Sequence, residues 1–227
     1  MKRLFKILML TVICLSAGLC FAQTSDTSYA GSYYLKQEVY FKALPAKKNA
    51  IIFLGNSITE VGEWSELFDS KSVLNRGISG DVTYGVINRL PLIIAQKPAK
   101  IFLEIGVNDI KRGASIEEIA SNHERIIKLI KQTSPKIKLY VQSILPVNEA
   151  MLSSIYVKIT NERINNANKK LKELAIKYNC IYVDLHLSEL KDVDEQLKKE
   201  FSTDGLHLQP LAYIIWANYL KSLKHIK

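Results

Sequence analysis

The chain has 227 residues and a formal net charge of +9, and 48% of its residues are hydrophobic while 23% are charged. These proportions are those of a soluble globular protein with one domain, and we find no internal repeat or low-complexity tract. The lysines are scattered over predicted helices rather than clustered with aromatic residues, which argues against a nucleic-acid binder.

The first 22 residues have the pattern of a bacterial secretory signal peptide. Three basic residues begin it, an apolar run covers Ile7 to Cys20, and Cys20-Phe21-Ala22 supplies a small-x-small cleavage site. We expect export to the periplasm or the outside, without stable membrane insertion after cleavage. Lipidation of Cys20 is less favoured because Leu19 is large. Cleavage lowers the net charge from +9 to +6 and leaves Cys180 as the remaining cysteine, so we expect no disulfide, zinc site or other cofactor.

Residues 23–49 are predicted to form an arm that packs on a domain of residues 50–227. The arm starts polar, and its pairs Tyr33-Tyr34 and Tyr40-Phe41 are aromatic enough to contact the main body, possibly through a short helix. In the domain, short apolar strands are predicted at 51–54, 73–77, 100–105, 138–142 and 181–184. Helices alternate with them at 63–68, 83–94, from Ser115, at 161–178 and from Pro210. This alternation predicts a three-layer α/β/α domain around a five-stranded parallel sheet.

The sequence makes three predictions about the helices. Ser115 with Glu118 forms a capping box for the helix that follows. His123 lies mid-helix among polar residues and is expected at the surface. In the last helix, the expected packing face comprises Leu211, Ile214, Ile215, Trp216 and Tyr219.

The first strand ends at Gly55 and leads directly into Asn56-Ser57. Ligands of open parallel sheets bind just outside the carboxyl ends of the strands. Ser57 can therefore be a nucleophile if a base and an oxyanion site lie nearby. The alternative is that Ser57 only caps the next helix.

Two histidines are candidates for the base, because His123 is expected at the surface and His225 lies at the chain end. His207 lies in a loop before the last helix, and Asp204 three residues earlier is close enough to orient its imidazole. His186 is less favoured, since the aspartate near it, Asp184, is only two residues away on an extended segment. Alternatively, Asp204 serves only to cap its own loop.

Three donors are predicted to surround a developing oxyanion: the backbone N–H groups of Ser57 and Gly80 and the side-chain amide of Asn108. Acyl transfer requires such donors. Taken singly, Gly80 can also be a turn glycine and Asn108 a loop residue bonded to its own backbone.

Four short blocks occur in order along the domain: Gly55-Asn56-Ser57, Gly80-Asp81, Gly106-Val107-Asn108-Asp109 and Asp204-Gly205-Leu206-His207. They resemble the four blocks of the SGNH (GDSL-type) esterase and lipase family, over residues 50–220. Asn56 departs from the family name, which has aspartate at that place.

The resemblance implies a flavodoxin-like sheet of five parallel strands and hydrolysis without a metal. It implies that Ser57 is the nucleophile, His207 the general base and Asp204 its partner, with Gly80 and Asn108 in the oxyanion hole. The segment Ala212–Trp216 is similar to that of a subgroup with platelet-activating-factor acetylhydrolase catalytic subunits and bacterial carbohydrate acetylesterases.

These inferences predict a secreted esterase for short acyl groups, chiefly acetyl groups carried by sugars. A lysophospholipase or thioesterase for longer chains, or a non-catalytic glycan-binding relative, are the alternatives. A flavin binder is disfavoured by the missing GxGxxG fingerprint. For substrate contacts we name Asn148 and Tyr156 in the loop 143–160, and Arg76, which meets either an anionic substrate group or a nearby loop.

Overall fold

The computed structural model describes residues 29–226, so the signal-peptide prediction for residues 1–22 lies outside it. Five parallel strands form one sheet in the order β2-β1-β3-β4-β5: β1 (Ile51–Gly55), β2 (Val73–Gly77), β3 (Lys100–Glu104), β4 (Lys138–Gln142) and β5 (Ile181–Val183). Because both faces are covered, the strands are short runs of buried apolar residues. The predicted fold class is confirmed, and the order 2-1-3-4-5 has its switch point between β1 and β3.

Helices cover both faces of this sheet. They are α1 (Ser32–Ala43), α2 (Ser57–Val61), α3 (Trp64–Leu67), α4 (Thr83–Ala95), α5 (Val107–Arg112), α6 (Ile116–Thr133), α7 (Asn161–Lys177) and α8 (Pro210–Ser222). On one face α4, α6 and α7 pack side by side, and α3 packs with α8 on the other. One half of the predicted capping box of α6 is present, since Ser115 Oγ accepts a hydrogen bond from Glu118 N at 3.1 Å. Within residues 29–226 we find no helix with the length and hydropathy needed to cross a bilayer.

An aromatic stack runs across the centre of the sheet. Phe53 on β1, Phe102 on β3 and Tyr140 on β4 are paired in register, with ring centroids 5.0 Å and 4.2 Å apart. Trp64 of α3 stacks on Phe53 at 4.0 Å and meets Trp216 of α8 edge-on at 4.9 Å. This apolar layer anchors α3 and α8 to the sheet directly below the carboxyl ends of β1 and β3.

Helix α1 lies on the domain through its aromatic residues. Tyr34 is buried, and its hydroxyl donates a hydrogen bond to Gly85 O on α4 at 2.8 Å. The guanidinium of Arg76 on β2 lies 4.8 Å from the ring centroid of Phe41. These contacts fix α1 against α4 and β2, beside the loop that follows β2.

The surface prediction for His123 is wrong. The side chain is 1% exposed, and its Nδ1 lies 2.9 Å from Ile119 O one turn earlier. Because α6 lies between α4 and α7, even its polar flank is covered, and neighbouring Asn122 donates to Thr83 Oγ1 on α4 at 2.9 Å. Burial lowers the pKa of His123 to about 4, since the charged imidazolium is poorly solvated there.

The predicted packing face of α8 is also wrong in part. Leu211 and Ile214 are 62% and 44% exposed. The helix instead buries Ala212, Tyr213, Trp216, Ala217 and Leu220. Apolar residues occur all round this helix, so the pattern does not define one face. The two alanines permit close approach to the sheet, and the Tyr213 hydroxyl finds a partner in Ile58 O at 2.8 Å.

Candidate active site

The end of β1 places Ser57 at the start of α2, free of any capping role. The Asn56 side chain caps this helix, because its Oδ1 accepts from Ile58 N at 2.9 Å. The interpretation of Ser57 as the cap is therefore wrong, and it is Asn56 that takes this structural task. Ser57 is half-buried, at the edge where the strands end.

The structure brings Ser57, His207 and Asp204 into one line of contacts. Ser57 Oγ lies 3.1 Å from His207 Nε2, although the two residues are 150 positions apart. His207 Nδ1 lies 2.6 Å from Asp204 Oδ2. This is the geometry in which a carboxylate orients an imidazole and the imidazole takes a proton from a hydroxyl.

Asp204 also holds the loop that carries His207. Its Oδ1 accepts hydrogen bonds from Leu206 N at 2.9 Å and His207 N at 2.8 Å. Partial burial acts to raise the pKa of Asp204, but the hydrogen bonds from His207 and Leu206 outweigh it and keep the pKa below its usual value. The aspartate is thus ionised at neutral pH, and both roles foreseen for it, capping and orientation, are present together.

The loop 143–160 braces this segment from the side. Gly205 has φ +82°, and a Cβ there would lie 2.5 Å from Asn148 O. Asn148 N donates to Gly205 O at 2.8 Å, and Asn148 Nδ2 donates to Leu197 O at 2.9 Å. Asn148, proposed as a substrate contact, is 3% exposed and bonds to backbone. Tyr156 is the other residue of this loop proposed as a substrate contact, and its ring centroid lies 4.5 Å from Lys111 Nζ.

Two of the three predicted oxyanion donors follow β2 and β3, the strands on either side of β1. Gly80 follows β2, has φ +79° and is exposed, with no atom within 4 Å of a Cβ placed there. Asn108 lies in α5 after β3, and its Nδ2 donates to Asp81 O at 2.9 Å. A carboxamide has a second N–H to offer a ligand. Since β1 lies between β2 and β3, these donors and Ser57 share one edge of the sheet.

A buried ion pair supports the Gly80 loop and was not foreseen from the sequence. Asp81 Oδ2 lies 2.8 Å from Arg89 Nη2, and the two side chains are 0% and 2% exposed. Arg89 also donates to Arg76 O at 2.7 Å and to Gly55 O at 3.0 Å. Burial raises the pKa of Asp81 to about 6, even though Arg89 opposes the shift. The pair ties β1, β2 and α4 together beneath the site.

A second unforeseen residue is Glu60, on α2 three positions after Ser57. Its carboxylate accepts a hydrogen bond from Ser79 N at 2.8 Å and another from the Tyr33 hydroxyl at 2.6 Å. A carboxylate in the first turn of a helix has no distinctive spacing, so the sequence offers no signal for this role. Glu60 connects the helix of Ser57, the loop of Gly80 and helix α1.

The remaining candidates have structural contacts. His186 Nε2 lies 2.8 Å from Ile144 O and is bound there rather than to Ser57. Arg76 is 5% exposed, and its Nη1 donates to Asn75 O at 2.7 Å. Burial lowers the pKa of Arg76. Of the two roles predicted for Arg76, the observed contacts are those of the structural one.

A fully buried carboxyl group lies at the end of β3. Glu104 is paired in register with Gly55, and neither carboxyl oxygen has a hydrogen-bond partner within residues 29–226. Desolvation raises the pKa of Glu104 to about 8, so the group is neutral at neutral pH. Over the same residues, histidine, cysteine, aspartate and glutamate form no group of three suited to a metal ion.

The chain is similar in sequence to a known family and to individual proteins. Residues 53–214 match the model of the GDSL-like lipase/acylhydrolase family. One sequence relative is the platelet-activating factor acetylhydrolase IB subunit alpha2 of Homo sapiens, 34% identical over 109 residues. The aligned stretch makes up 45% of this chain and 47% of that protein. The chain therefore spans about half the length of the curated relatives it matches.

Solved structures show the same architecture over more of the chain. The structure of a Streptococcus pneumoniae protein named for platelet activating factor is 34% identical with a TM-score of 0.77, covering 84% of this chain and 92% of that one. An acetylxylan esterase from Geobacillus stearothermophilus has a TM-score of 0.62 at 16% identity, covering 81% of this chain and 98% of that one. The second likeness is one of fold alone.

Proposed function

Because this chain belongs to the GDSL-like lipase/acylhydrolase family, as its four sequence blocks predict, we propose that it is a secreted serine esterase for short acyl esters of carbohydrates. The observation that carries this proposal is the contact of 3.1 Å between Ser57 Oγ and His207 Nε2, continued by Asp204 at 2.6 Å from His207 Nδ1. A binding protein has no need of a hydroxyl held against an oriented imidazole.

In the first half-reaction, Ser57 Oγ attacks the ester carbonyl while His207 Nε2 takes its proton. The ionised Asp204 holds the imidazole in position and stabilises the imidazolium that forms. The tetrahedral oxyanion accepts hydrogen bonds from the N–H groups of Ser57 and Gly80 and from Asn108 Nδ2. His207 then donates its proton to the departing alkoxide, leaving an acyl group on Ser57.

In the second half-reaction, water replaces the alcohol. His207 deprotonates the water, which attacks the acyl-enzyme carbonyl, and the same three donors hold the second oxyanion. Collapse releases the carboxylic acid and returns the proton from His207 to Ser57. The two half-reactions thus use three side chains, those of Ser57, His207 and Asp204, together with the oxyanion donors and one water molecule.

Acetyl esters of sugars are the substrate class we favour. The name of one sequence relative refers to acetyl ester cleavage, that of platelet-activating factor, and an acetylxylan esterase shares the fold. The signal-peptide pattern of residues 1–22 supports a site of action outside the cytoplasm.

A second candidate is a lysophospholipase or thioesterase for longer acyl chains. The observation that favours it is exposed apolar surface in the loop 143–160, where Ile155 is 64% exposed and Val157 is 76% exposed. An acyl chain gains free energy by covering such surface.

Hydrolysis of p-nitrophenyl acetate, butyrate and octanoate by wild type, Ser57→Ala and Ser65→Ala tests the proposal. Ser65 is an exposed serine on α3 and serves as the matched control. We expect the acetate to be cleaved best, background rates for Ser57→Ala and wild-type rates for Ser65→Ala. Preference for the octanoate favours the second candidate, and equal rates for wild type and Ser57→Ala overturn the enzyme proposal.

Two further measurements address substrate and export. Release of acetate from acetylated xylo-oligosaccharides by wild type, and not by Ser57→Ala, is expected. Fractionation of a bacterial host expressing the full chain is expected to yield a mature form that begins at Gln23 outside the cytoplasm. A full-length form confined to the cytoplasm contradicts the export proposal.

A further inference from the structure

We propose that Glu60 is a positioning residue for the oxyanion hole, and that helix α1 is part of the same device through Tyr33. The proposal rests on the proposed function, because it assigns Glu60 and Tyr33 to the control of one donor, Gly80 N–H, in ester hydrolysis. It adds a role for a segment that lies before the first of the family's sequence blocks.

The argument begins with the peptide that carries the donor. The N–H of Gly80 and the C=O of Ser79 belong to one planar peptide unit, so the orientation of that plane decides where the N–H points. Gly80 has φ +79° and open space around its Cα, so its own packing does little to hold the plane. A backbone hydrogen bond from Asp81 N to Ile78 O at 3.1 Å closes the turn around this peptide. Contacts to Ser79, at the preceding peptide, add the restraint that holds the plane within the turn.

Glu60 restrains Ser79 from helix α2, which begins with Ser57. One carboxylate oxygen, Oε2, accepts from Ser79 N at 2.8 Å and also from the Ser79 hydroxyl. Both bonds are to a charged acceptor, which makes them stronger than neutral ones. On the far side of the donor, Arg112 Nη2 lies 3.2 Å from Gly80 O and fixes the next peptide. Since Glu60 and Ser57 share α2, the nucleophile and the donor loop are held in one frame.

Helix α1 contributes a further contact to Glu60 through Tyr33. The other carboxylate oxygen, Oε1, accepts from the Tyr33 hydroxyl at 2.6 Å, and that hydroxyl in turn accepts from Gln37 Nε2 at 2.9 Å. The next residue, Tyr34, is buried against α4 and fixes the helix in place. Tyr33 therefore orients the carboxylate towards Ser79, and the docking of α1 is coupled to the Gly80 donor.

The positioning role is tested by measuring kcat and KM for p-nitrophenyl acetate, together with Tm. The variants are Glu60→Ala, Glu60→Gln, Tyr33→Phe and the control Tyr40→Phe. Tyr40 is an exposed tyrosine on the same helix. Full removal of an oxyanion donor costs about 10²–10³ in rate, and a misoriented donor costs less. We expect kcat to fall about tenfold or more in Glu60→Ala with KM within twofold, because the donor acts in the transition state.

The other variants separate positioning from general stability. Glutamine can present its amide oxygen to Ser79 and its amide nitrogen to Tyr33, so Glu60→Gln is expected to recover most of the lost kcat. Tyr33→Phe is expected to lower kcat about twofold to fivefold, and Tyr40→Phe is expected to leave it unchanged. The effects of Tyr33→Phe and Glu60→Ala are expected to be less than additive when combined, since both act through one carboxylate.

Two results overturn the inference while leaving the esterase intact. One is a kcat for Glu60→Ala and Tyr33→Phe within twofold of wild type, with Ser57→Ala at background. The other is a fall in Tm for both variants with an unchanged kcat, which indicates a stabilising contact only. If Glu60→Ala does not fold, Tyr33→Phe and Ser79→Ala decide by the same criteria. Wild-type rates equal to those of Ser57→Ala overturn the proposed function and this inference together.

Discussion

Asp204 and His207 face each other within a single loop, with Oδ2 of the aspartate 2.6 Å from Nδ1 of the histidine. The same aspartate holds two backbone N–H groups of that loop through its other oxygen. The histidine and the carboxylate that contacts it are thus one local unit, whereas the serine comes from a distant part of the chain.

The variant Asp204→Asn distinguishes the two roles of Asp204, which are to orient the imidazole of His207 by its charge and to cap the loop. Asparagine keeps a side-chain oxygen for the backbone N–H groups of Leu206 and His207, but it removes the negative charge beside the imidazole. We expect kcat to fall by about 10²–10⁴ with little change in Tm. The exposed Asp194→Asn is the matched control. A kcat within tenfold of wild type contradicts the assignment of Asp204.

Asn108→Ala tests the second oxyanion donor. The substitution removes the carboxamide that is fixed to Asp81 O, and we expect kcat to fall by about 10²–10³ with KM nearly unchanged. Asn165→Ala, at an exposed position of α7, is the comparison. A loss confined to KM would mean that Asn108 binds substrate without stabilising the transition state.

Glu104 makes the free energy of unfolding depend on pH between about 4.5 and about 8. Its folded-state pKa, raised by burial to about 8, lies above its ordinary value of 4.5. The contribution of Glu104 to stability is therefore complete below about pH 4.5 and is lost progressively as the pH rises towards 8.

The comparison of wild type with Glu104→Gln isolates this effect, because the variant keeps the shape and is neutral at every pH. Relative to the variant, the unfolding free energy of wild type is expected to fall by at least about 1 kcal/mol between pH 5 and pH 8. Asp81 and Asp109, also raised by burial, are present in both proteins and cancel in the difference. Urea unfolding at four pH values measures it, and parallel profiles contradict the assignment.

Gly55→Ala tests the close approach at the end of β1. A Cβ there would lie 2.2 Å from both the backbone oxygen of Glu104 and Thr59 Oγ1, so the strand or α2 must move. We expect destabilisation of about 2 kcal/mol or more and loss of activity, since Ser57 moves with α2. Gly31→Ala, with no atom within 4 Å of the new Cβ, is expected to be near neutral. Equal melting temperatures for both variants contradict the prediction.

The strands, and the line of Ser57, His207 and Asp204, were accessible from the sequence for definite reasons. In a sheet covered on both faces each strand is a short apolar run, and the loops after such strands meet at one edge. The loop of Asp204 and His207 has a local spacing that can be read directly. Contacts between polar side chains of distant elements have no such spacing, and so Glu60, His123 and the pair of Asp81 with Arg89 were missed or misplaced.

Ser57 and His207 are separated by 150 residues. Ribosomes add roughly 5–20 residues per second, so about 8–30 s pass between synthesis of the serine and synthesis of the histidine. During that interval the nascent chain carries Ser57 without the imidazole that it contacts in the folded protein. We therefore expect a chain that stops before residue 207 to lack esterase activity, because it carries the serine without the histidine that contacts it.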